Sequence, residues 1–424
     1  MRSMWVIGAL FAPFVAGAVL QTAPTPSATQ LVRDVRVFDG ERVFEHQDVL
    51  IENGKVSRVS KTGISAPKAE VIDGKGRTLL PGLIDAHVHI VDRAEDAARQ
   101  ALKLGVTTQL DMFSGGERMK RIKKIEAEDP PDLSDLRTAG VGATVPGGHP
   151  SQMGGPPFPT ITGPEQAQEF VDARIAEGSD YIKIIHDDGS TWNWTTKRVP
   201  MLDNATMRAL VEAAHKRGKL AVVHALSEQQ ARDAIEAGAN GLVHIFTGDK
   251  LTSDFGEFAA SHHVFVIATL STVYLDCGKS EGPALAADAR LMKFVESDWQ
   301  GMLKMAQPDA SKAHYCNATE EAMHQLIGKR VPLLAGTDSP APGTTYGAAL
   351  HGELKLLVGA GMTPGAALAA ATSVPASKFR LSDRGWVRPG MRADLLLVEG
   401  DPTKNILDTR NIVAVWKRGI RAQR

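Results

Sequence analysis

The sequence has only two cysteines in 424 residues, Cys277 and Cys316. They form no Cys-x-x-Cys motif and are too few for a disulfide framework, so a disulfide-rich scaffold is excluded. The two residues could pair in an oxidising compartment or remain two free thiols. The sequence leaves both alternatives open.

The chain also has little net charge and only one long apolar run. Its formal charge is −1, and no stripe of Lys and Arg interleaved with aromatic residues appears. There is therefore no electrostatic reason to expect nucleic acid or an anionic membrane as a partner. Beyond the first 20 residues no segment approaches the length of a membrane span.

The one long apolar run lies at the amino terminus and is typical of a signal peptide. Arg2 precedes an apolar stretch at residues 4–20, in which Ala-Gly-Ala at 16–18 is a cleavage site of small residues. A membrane anchor is the alternative, but Pro13 and the small residues favour cleavage. We predict a signal peptide at residues 1–18 and a secreted or periplasmic mature protein with no membrane contact after signal removal.

Both ends of the mature chain are rich in short predicted strands. Residues 31–38 alternate apolar and polar side chains, and Asn-Gly at 53–54 is a hairpin signal between two β-rich runs. Residues 393–398 and 412–416 are similar short apolar runs, typical of strands. We predict that residues 28–80 and 381–424 form one small antiparallel β-sandwich domain built from both termini.

The middle of the chain alternates strands and helices. Helix-like segments at 205–217 and 228–237 each end at a glycine and precede a short apolar run. Repeated units of this kind predict an α/β fold, a (β/α)8 TIM-type barrel at residues 81–380. An open doubly wound sheet is the alternative, weakened because no Gly-x-Gly-x-x-Gly follows the first strand.

Two histidines near the start of this region form a candidate metal site. His87 and His89 lie two residues apart in the apolar strand at 81–89, so their side chains project from the same face. Two adjacent imidazoles at a strand end are suited to one divalent metal ion. The alternative is a pair of core histidines, and His-x-His alone is a modest signal.

Other residues of ligand type follow in order at the ends of predicted strands: Lys183, His224, His244 and Asp338. Active sites of such barrels lie at the carboxyl ends of the strands, so these residues are expected to meet His87 and His89. That so many strands end this way by chance is improbable.

Lys183 requires its own explanation, since a buried ammonium among isoleucines is costly and would repel a metal. A neutral lysine amine can add carbon dioxide and become a carbamate, an anionic oxygen ligand that bridges two cations. The alternative is that Lys183 points outward or pairs with Asp187 or Asp188. The neighbouring histidines favour the carbamate.

Taken together, these motifs resemble the amidohydrolase superfamily. The resemblance rests on Pro-Gly-x-x-Asp-x-His-x-His at 81–89, the strand lysine, the two strand histidines and Thr-Asp-Ser at 337–339. Leu-Gly-Val-Thr-Thr at 104–108 and Arg-Pro-Gly-Met-Arg-Ala-Asp-Leu at 388–395 agree with it. Within the superfamily the chain is similar to the imidazolonepropionase-like branch, including Xaa-Pro dipeptidases and ochratoxin-degrading amidases.

The resemblance implies two divalent metal ions, zinc most often, bridged by the CO2-derived carbamate. The six implied ligands are His87, His89, Lys183, His224, His244 and Asp338. Two cations sharing a water would yield a bridging hydroxide, and Asp338 would take its proton and pass it to the leaving nitrogen. Imidazolonepropionase itself binds one metal and lacks the lysine, so Lys183 argues against that activity.

Further candidates lie in the loops after the strands. Similar enzymes use a histidine near the substrate carbonyl, a role the resemblance assigns to His149 as a catalytic and substrate-binding residue. Trp192 and Trp194 are predicted to contact an apolar or aromatic part of the substrate, and Arg198 or Lys197 to pair with a carboxylate. A loop packing on its own barrel is the alternative. Tyr346 is a weaker substrate-binding candidate.

The function expected from this resemblance is cleavage of an amide or peptide bond in a dipeptide or N-acyl amino acid, with ochratoxin-like amides among the candidates. Ester, lactone or phosphotriester hydrolysis and cyclic amide hydrolysis are the alternatives, since they would use the same metal site. A non-catalytic binding protein is disfavoured because the ligand set is complete. The expected partner is a small molecule, and the sequence is compatible with a homo-oligomer.

Overall fold

The computed structural model describes residues 29–61, 63–91, 93–192, 197–248, 250–306 and 309–424. The predicted signal peptide lies outside these residues. Within the described part of the chain, none of the helices combines the length and apolar character that crossing a membrane requires.

Strands from both ends of the chain form one eight-stranded sheet, in the order β16-β15-β14-β5-β1-β2-β3 with β4 also paired to β1. The strands are β1 (Gln30–Phe38), β2 (Val43–Glu52), β3 (Lys55–Ser60), β4 (Glu70–Asp73), β5 (Arg77–Pro81), β14 (Leu395–Glu399), β15 (Ile412–Lys417) and β16 (Ile420–Arg421). Strands from the two ends of the chain therefore pair within one sheet. Their inward side chains, including Val37, Leu79, Leu397 and Trp416, are buried in one cluster.

The prediction that this sheet is wholly antiparallel is wrong. β1 pairs parallel with β4 through Gln30–Arg33 and parallel with β5 through Arg36 and Val37. The partner changes where the register of β1 shifts around Asp34, which has a φ of 52°. β4 and β5 follow each other along the chain through a turn. They run beside different halves of β1, and both are parallel to it.

Eight further strands carry the centre of the fold, and all of their pairings are parallel. They are β6 (Leu83–Val88), β7 (Val106–Asp111), β8 (Asp135–Thr138), β9 (Ile182–Ile185), β10 (Ala221–His224), β11 (Gly241–Val243), β12 (Phe265–Ile267) and β13 (Leu333–Leu334). The predicted α/β class with parallel strands is confirmed.

The hydrogen-bonded ladders do not run continuously around the eight described parallel strands. The eight strands divide into a sheet β6-β7-β8 and a sheet β13-β12-β11-β10-β9. Single bridges join their edges, Ala143 to Ile184 and Val88 to Ser339. The ladder is interrupted at the second edge because β13 is only two residues long and Asp338 leaves the extended conformation with a φ of 58°.

Fourteen helices accompany the described strands. They are α1 (Ala94–Lys103), α2 (Gly116–Glu128), α3 (Ala167–Glu177), α4 (Asn204–Lys216), α5 (Glu228–Glu236), α6 (Phe255–Ser261), α7 (Leu270–Asp276), α8 (Gly282–Ala286), α9 (Ala289–Met292), α10 (Ser297–Met305), α11 (Asn317–Gly328), α12 (Ala348–Gly359), α13 (Pro364–Ala370) and α14 (Ser373–Lys378). Short 3-10 turns cover Ser151–Met153, Pro164–Gln166, Ala310–Cys316 and Ile406–Arg410.

The two helices singled out from the sequence begin and end where capping chemistry places them. The Asp203 side chain accepts from the Thr206 amide at the start of α4, and Ser227 and Gln230 form a capping box at the start of α5. The chain leaves these helices through Gly218 and Gly238, which have φ values of 69° and 90°. Glycine takes this left-handed conformation without a side-chain clash.

Cys277 and Cys316 form a disulfide with their Cα atoms 5.3 Å apart. The bond connects the residue after α7 with the end of a 3-10 turn. This settles the alternative that the sequence left open in favour of a bonded pair.

A buried ion cluster attaches the terminal sheet to the central strands. Asp135 of β8 is 4% exposed and accepts from Lys417 of β15 at 2.7 Å, from Arg392 at 2.9 Å and from Arg384. Burial alone would raise the pKa of Asp135, but these three cations hold it well below its usual range. The carboxylate therefore stays ionised where the two parts of the fold meet.

We predict that Asp135→Asn lowers the free energy of unfolding by about 3–5 kcal/mol, because it leaves buried cations without their shared carboxylate. Asp132→Asn is the matched control, since Asp132 is largely exposed and pairs with Arg99 at 3.2 Å, a type of contact worth about 1 kcal/mol or less. Urea unfolding of both variants measures the difference. Equal midpoints would contradict a structural role for the cluster.

Candidate metal centre

Five of the six predicted ligands lie at or just beyond the carboxyl ends of the parallel strands, and the sixth, Lys183, lies within a strand. His87 lies in β6 and His89 follows it. Lys183 lies in β9 and His224 ends β10. His244 directly follows β11, and Asp338 comes four residues after β13. Parallel strands bring these ends to the same edge, so side chains distant in sequence meet there.

His87, His89 and Asp338 converge on one point. The Nε2 atoms of the two histidines are 3.2 Å apart, and each lies 3.1–3.2 Å from Oδ1 of Asp338. A zinc ion about 2.0–2.1 Å from its ligands would hold tetrahedral ligand atoms about 3.3 Å apart. These separations fit one divalent cation.

The electrostatics of this group also suit a cation. Burial, and then the neighbouring Lys183 charge, lower the pKa of His87 to about 3, so its imidazole is neutral at neutral pH. Burial opposes ionisation of Asp338, but His87 and His89 hold its pKa well below the usual range. Neutral imidazoles and an ionised carboxylate are the protonation states that bind metal.

His224 and His244 complete a continuous group of rings beside this point. The ring centroid of His244 lies 4.7 Å from that of His87 and 4.7 Å from that of His224. Nδ1 of His244 lies 2.7 Å from the Thr269 hydroxyl, and Nε2 of His224 lies 3.1 Å from Oδ2 of Asp187. Each ring thus uses one nitrogen for a protein contact and keeps the other for a ligand.

Lys183 is 3% exposed, and its amine lies close enough to Asp338 and Asp111 for both carboxylates to act on its pKa, so its side chain faces the candidate site and not the helix layer. Burial lowers the pKa of its amine to about 7, although Asp338 and Asp111 act in the opposite direction. Gly142 leaves space beside it, because a Cβ there would lie 3.2 Å from Cγ of Lys183. A substantial fraction of the amine is therefore neutral at neutral pH.

Asp85 fixes the two segments that carry the first group of ligands. Its Oδ2 accepts from the Thr337 hydroxyl at 2.7 Å, and its Oδ1 accepts from the amides of Thr337 at 3.0 Å and His87 at 3.3 Å. Asp85 stands in the 81–89 motif, but the sequence analysis gave it no role. Its place two residues before His87, on the same face of the strand, is the signal that could have revealed it.

His149 lies beside the histidine group, in the loop that follows β8. Its ring centroid is 5.0 Å from that of His224 and 5.3 Å from that of Trp192. Nε2 of Gln152 lies 2.6 Å from its Nδ1. Burial, followed by the His224 charge, lowers the pKa of His149 to about 3, so the ring is neutral.

The other residues that the sequence predicts to contact substrate do not lie together. Trp192 is 7% exposed and donates from Nε1 to Asp187 at 2.9 Å. Trp194 lies outside the described residues, and Arg198 is exposed. Tyr346 is fully buried and its hydroxyl donates to the carbonyl of His89 at 2.7 Å, so it supports the metal-ligand strand and does not face an open cleft.

The chain is therefore an α/β protein in which the side chains of His87, His89 and Asp338 are arranged as ligands of a metal ion would be. Residues 78–421 match the model of the amidohydrolase family, and the chain belongs to that family. Members of the family use a divalent metal centre, and the chain is a hydrolase that acts on C–N bonds, of amide or cyclic amide type.

Individual relatives are distant. A dihydroorotase from Aquifex aeolicus is 27% identical over 216 residues, which cover 49% of this chain and 45% of that protein. An ochratoxinase from Aspergillus niger is 24% identical over 385 residues, 80% of this chain and 75% of that protein. The crystal structure of a Xaa-Pro dipeptidase with bound methionine has a TM-score of 0.75 at 22% identity, covering 94% of this chain and all of that one. At this identity the structural likeness shows the fold alone.

We predict that Thr337→Val lowers the affinity for the metal at His87, His89 and Asp338 by about 10–100-fold, as losses of outer contacts to ligands do. The valine keeps the shape but removes the hydroxyl that Asp85 holds. Thr337→Ser keeps the hydroxyl and is the control. Metal content after dialysis against graded chelator measures the effect, and unchanged retention in Thr337→Val would contradict the role of Asp85.

Proposed function

We propose that this chain is a binuclear metal-dependent amidohydrolase that cleaves an amide or peptide bond in dipeptides or N-acyl amino acids. We infer that its scaffold is a (β/α)8 barrel with a β-sandwich. The observation that carries the proposal is that the rings of His87, His244 and His224 form a continuous group beside Asp338, with Lys183 buried next to them.

The six residues divide into two ligand groups. His87, His89 and Asp338 are proposed to hold one cation, for which their converging atoms provide the support. His224 and His244 are proposed to hold the other. Nitrogen and oxygen donors of this kind favour zinc, although they also accept manganese, cobalt or iron.

Lys183 is proposed to bridge the two cations as a carbamate. The neutral amine attacks the carbon of CO2, the N–C bond forms, and the nitrogen releases one proton, which leaves an anionic carbamate. The lowered pKa of Lys183, about 7, supports this step because it supplies the neutral amine at neutral pH. An anion also removes the repulsion that an ammonium would exert on the metals.

Two divalent cations at this site would lower the pKa of a shared water and polarise a carbonyl oxygen. Asp338 is placed to accept a proton beside them and to deliver it to the leaving nitrogen. Gln152 donates to Nδ1 of His149, so the proton of this neutral ring is on Nε2. His149 is therefore proposed to donate a hydrogen bond from Nε2 to the substrate carbonyl.

The substrate contacts are proposed from the loops around His149. Trp192 and Trp194 are proposed to contact an apolar part of the substrate, and the exposed Arg198 to pair with a free carboxylate. Cyclic amides are the second candidate class, favoured by the likeness to a dihydroorotase. Esters, lactones and phosphotriesters would use the same centre.

We also propose that the mature protein is secreted or periplasmic. The apolar segment before residue 20 and the Cys277–Cys316 disulfide both support this, since disulfides persist in oxidising compartments.

Hydrolysis of a substrate panel by zinc-loaded mature protein tests the proposed reaction. The panel contains dipeptides, N-acyl amino acids, cyclic amides, aryl esters and a phosphotriester. We expect turnover of dipeptides or N-acyl amino acids, and a drop of about 10²–10⁴-fold in kcat for Asp338→Asn, which removes the general base. Turnover only of esters or phosphotriesters would overturn the proposed substrate class.

We predict that Lys183→Ala loses most of its bound metal, and that bicarbonate with a short carboxylic acid restores part of it. Lys183→Arg is the decisive control, because arginine keeps a cation but forms no carbamate. Metal analysis of the purified variants gives the answer. Two metals per chain in Lys183→Arg would show that the carbamate assignment is wrong.

A further inference from the structure

Asp187 occupies a position that no proposed catalytic step uses. It follows β9 by two residues and is 1% exposed. Its Oδ2 accepts from Nε1 of Trp192 at 2.9 Å and lies 3.1 Å from Nε2 of His224. Its Oδ1 accepts from the Gly189 amide at 2.9 Å. One buried carboxylate thus joins a candidate metal ligand to the loop that carries Trp192.

The contact with His224 determines which nitrogen of that ring carries the proton. An ionised carboxylate only accepts hydrogen bonds, so Nε2 of His224 must donate. The neutral imidazole then has its lone pair on Nδ1, which is the nitrogen left for a metal. Carboxylates behind histidine ligands act in this way in other metal proteins, where they fix both tautomer and ring orientation.

The same oxygen also holds the substrate-side loop. Nε1 of Trp192 reaches Oδ2 of Asp187, and the indole meets the His149 ring edge to face at 5.3 Å. The ring of His149 lies 5.0 Å from that of His224. Asp187, Trp192, His149 and His224 therefore form one closed set of contacts between the candidate metal site and the substrate side.

We propose that Asp187 is a positioning residue that sets the tautomer and orientation of His224 for the second metal and ties the Trp192 loop to that ligand. The inference rests on the proposed binuclear function. It assigns Asp187 to metal loading at one site only, because the other site is supported by Asp85, which accepts from the His87 amide and from Thr337, the residue before Asp338.

Asp188 offers a matched control one residue away. Its Oδ1 accepts from the Ser190 amide at 2.8 Å and from Nε2 of Gln230 at 2.9 Å. Asp188 thus supports the same loop through contacts away from the metal ligands. A carboxylate that merely stabilised the loop would behave alike at positions 187 and 188.

The first test is zinc titration of metal-free full-length mature protein against a competing chromophoric chelator. We expect two zinc sites in the unmodified chain, a second site weakened by about 10–100-fold in Asp187→Asn, and a first site changed by less than about threefold. Asp188→Asn should leave both sites unchanged. Equal affinities of Asp187→Asn and the unmodified chain at both sites would overturn the inference, as would equal losses in the two variants.

The second test needs no substitution and so survives a variant that fails to fold. In metal-free protein labelled with 15N histidine, the imidazole nitrogen shifts of His224 report its tautomer. We expect the proton on Nε2. A proton on Nδ1 would overturn the role of Asp187. A single zinc site in the unmodified chain would instead overturn the proposed binuclear function, and the tautomer of His224 would remain a separate result.

Discussion

The burial of titratable side chains at the carboxyl ends of the parallel strands is the constraint on which the rest of the structure depends. A charge in such a place is costly unless other groups compensate it. At Asp85, hydrogen bonds from Thr337 and the His87 amide offset part of this cost, but burial still raises its pKa to about 7. At Asp111, the Ile90 amide and the Thr138 and Ser114 side chains donate to the carboxylate, and burial still raises its pKa. Both supporting carboxyl groups thus find their hydrogen-bond partners within the protein.

Two of the candidate ligands, His244 and Asp338, have a backbone conformation that differs from that of a strand. His244 and Asp338 have φ values of 73° and 58°, a region that costs a non-glycine residue about 1–3 kcal/mol. The surrounding hydrogen bonds retain this conformation, since the amide of His244 donates to Ile267 at 3.0 Å and that of Asp338 to His87 at 2.8 Å. Strain at the end of a strand turns each side chain toward the common point.

Much of the site could be predicted from the sequence because its residues end apolar runs, and the period of a strand tells which side chains share a face. The helices bounded by Gly218 and Gly238 were predictable for a similar local reason. The parallel pairing of β1, the division of the central strands and the position of Tyr346 depend on contacts between distant segments. Local pattern carries no information about such contacts. The contact of Asp187 with His224 was not predicted for the same reason, because the partners of Asp187 come from β10 and a loop.

Small residues show how closely those distant segments approach. A Cβ at Gly336 would lie 2.8 Å from Cβ of His87, and one at Gly142 would lie 3.2 Å from both Cγ of Lys183 and Cδ2 of Phe113. Real Cβ contacts are rarely this short, so any larger residue would push the ligand strands apart. The geometry of the candidate site therefore depends on two glycines that bind nothing themselves. Lys183 is buried in this closely packed region, and burial is the largest cause of the lowered pKa of its amine.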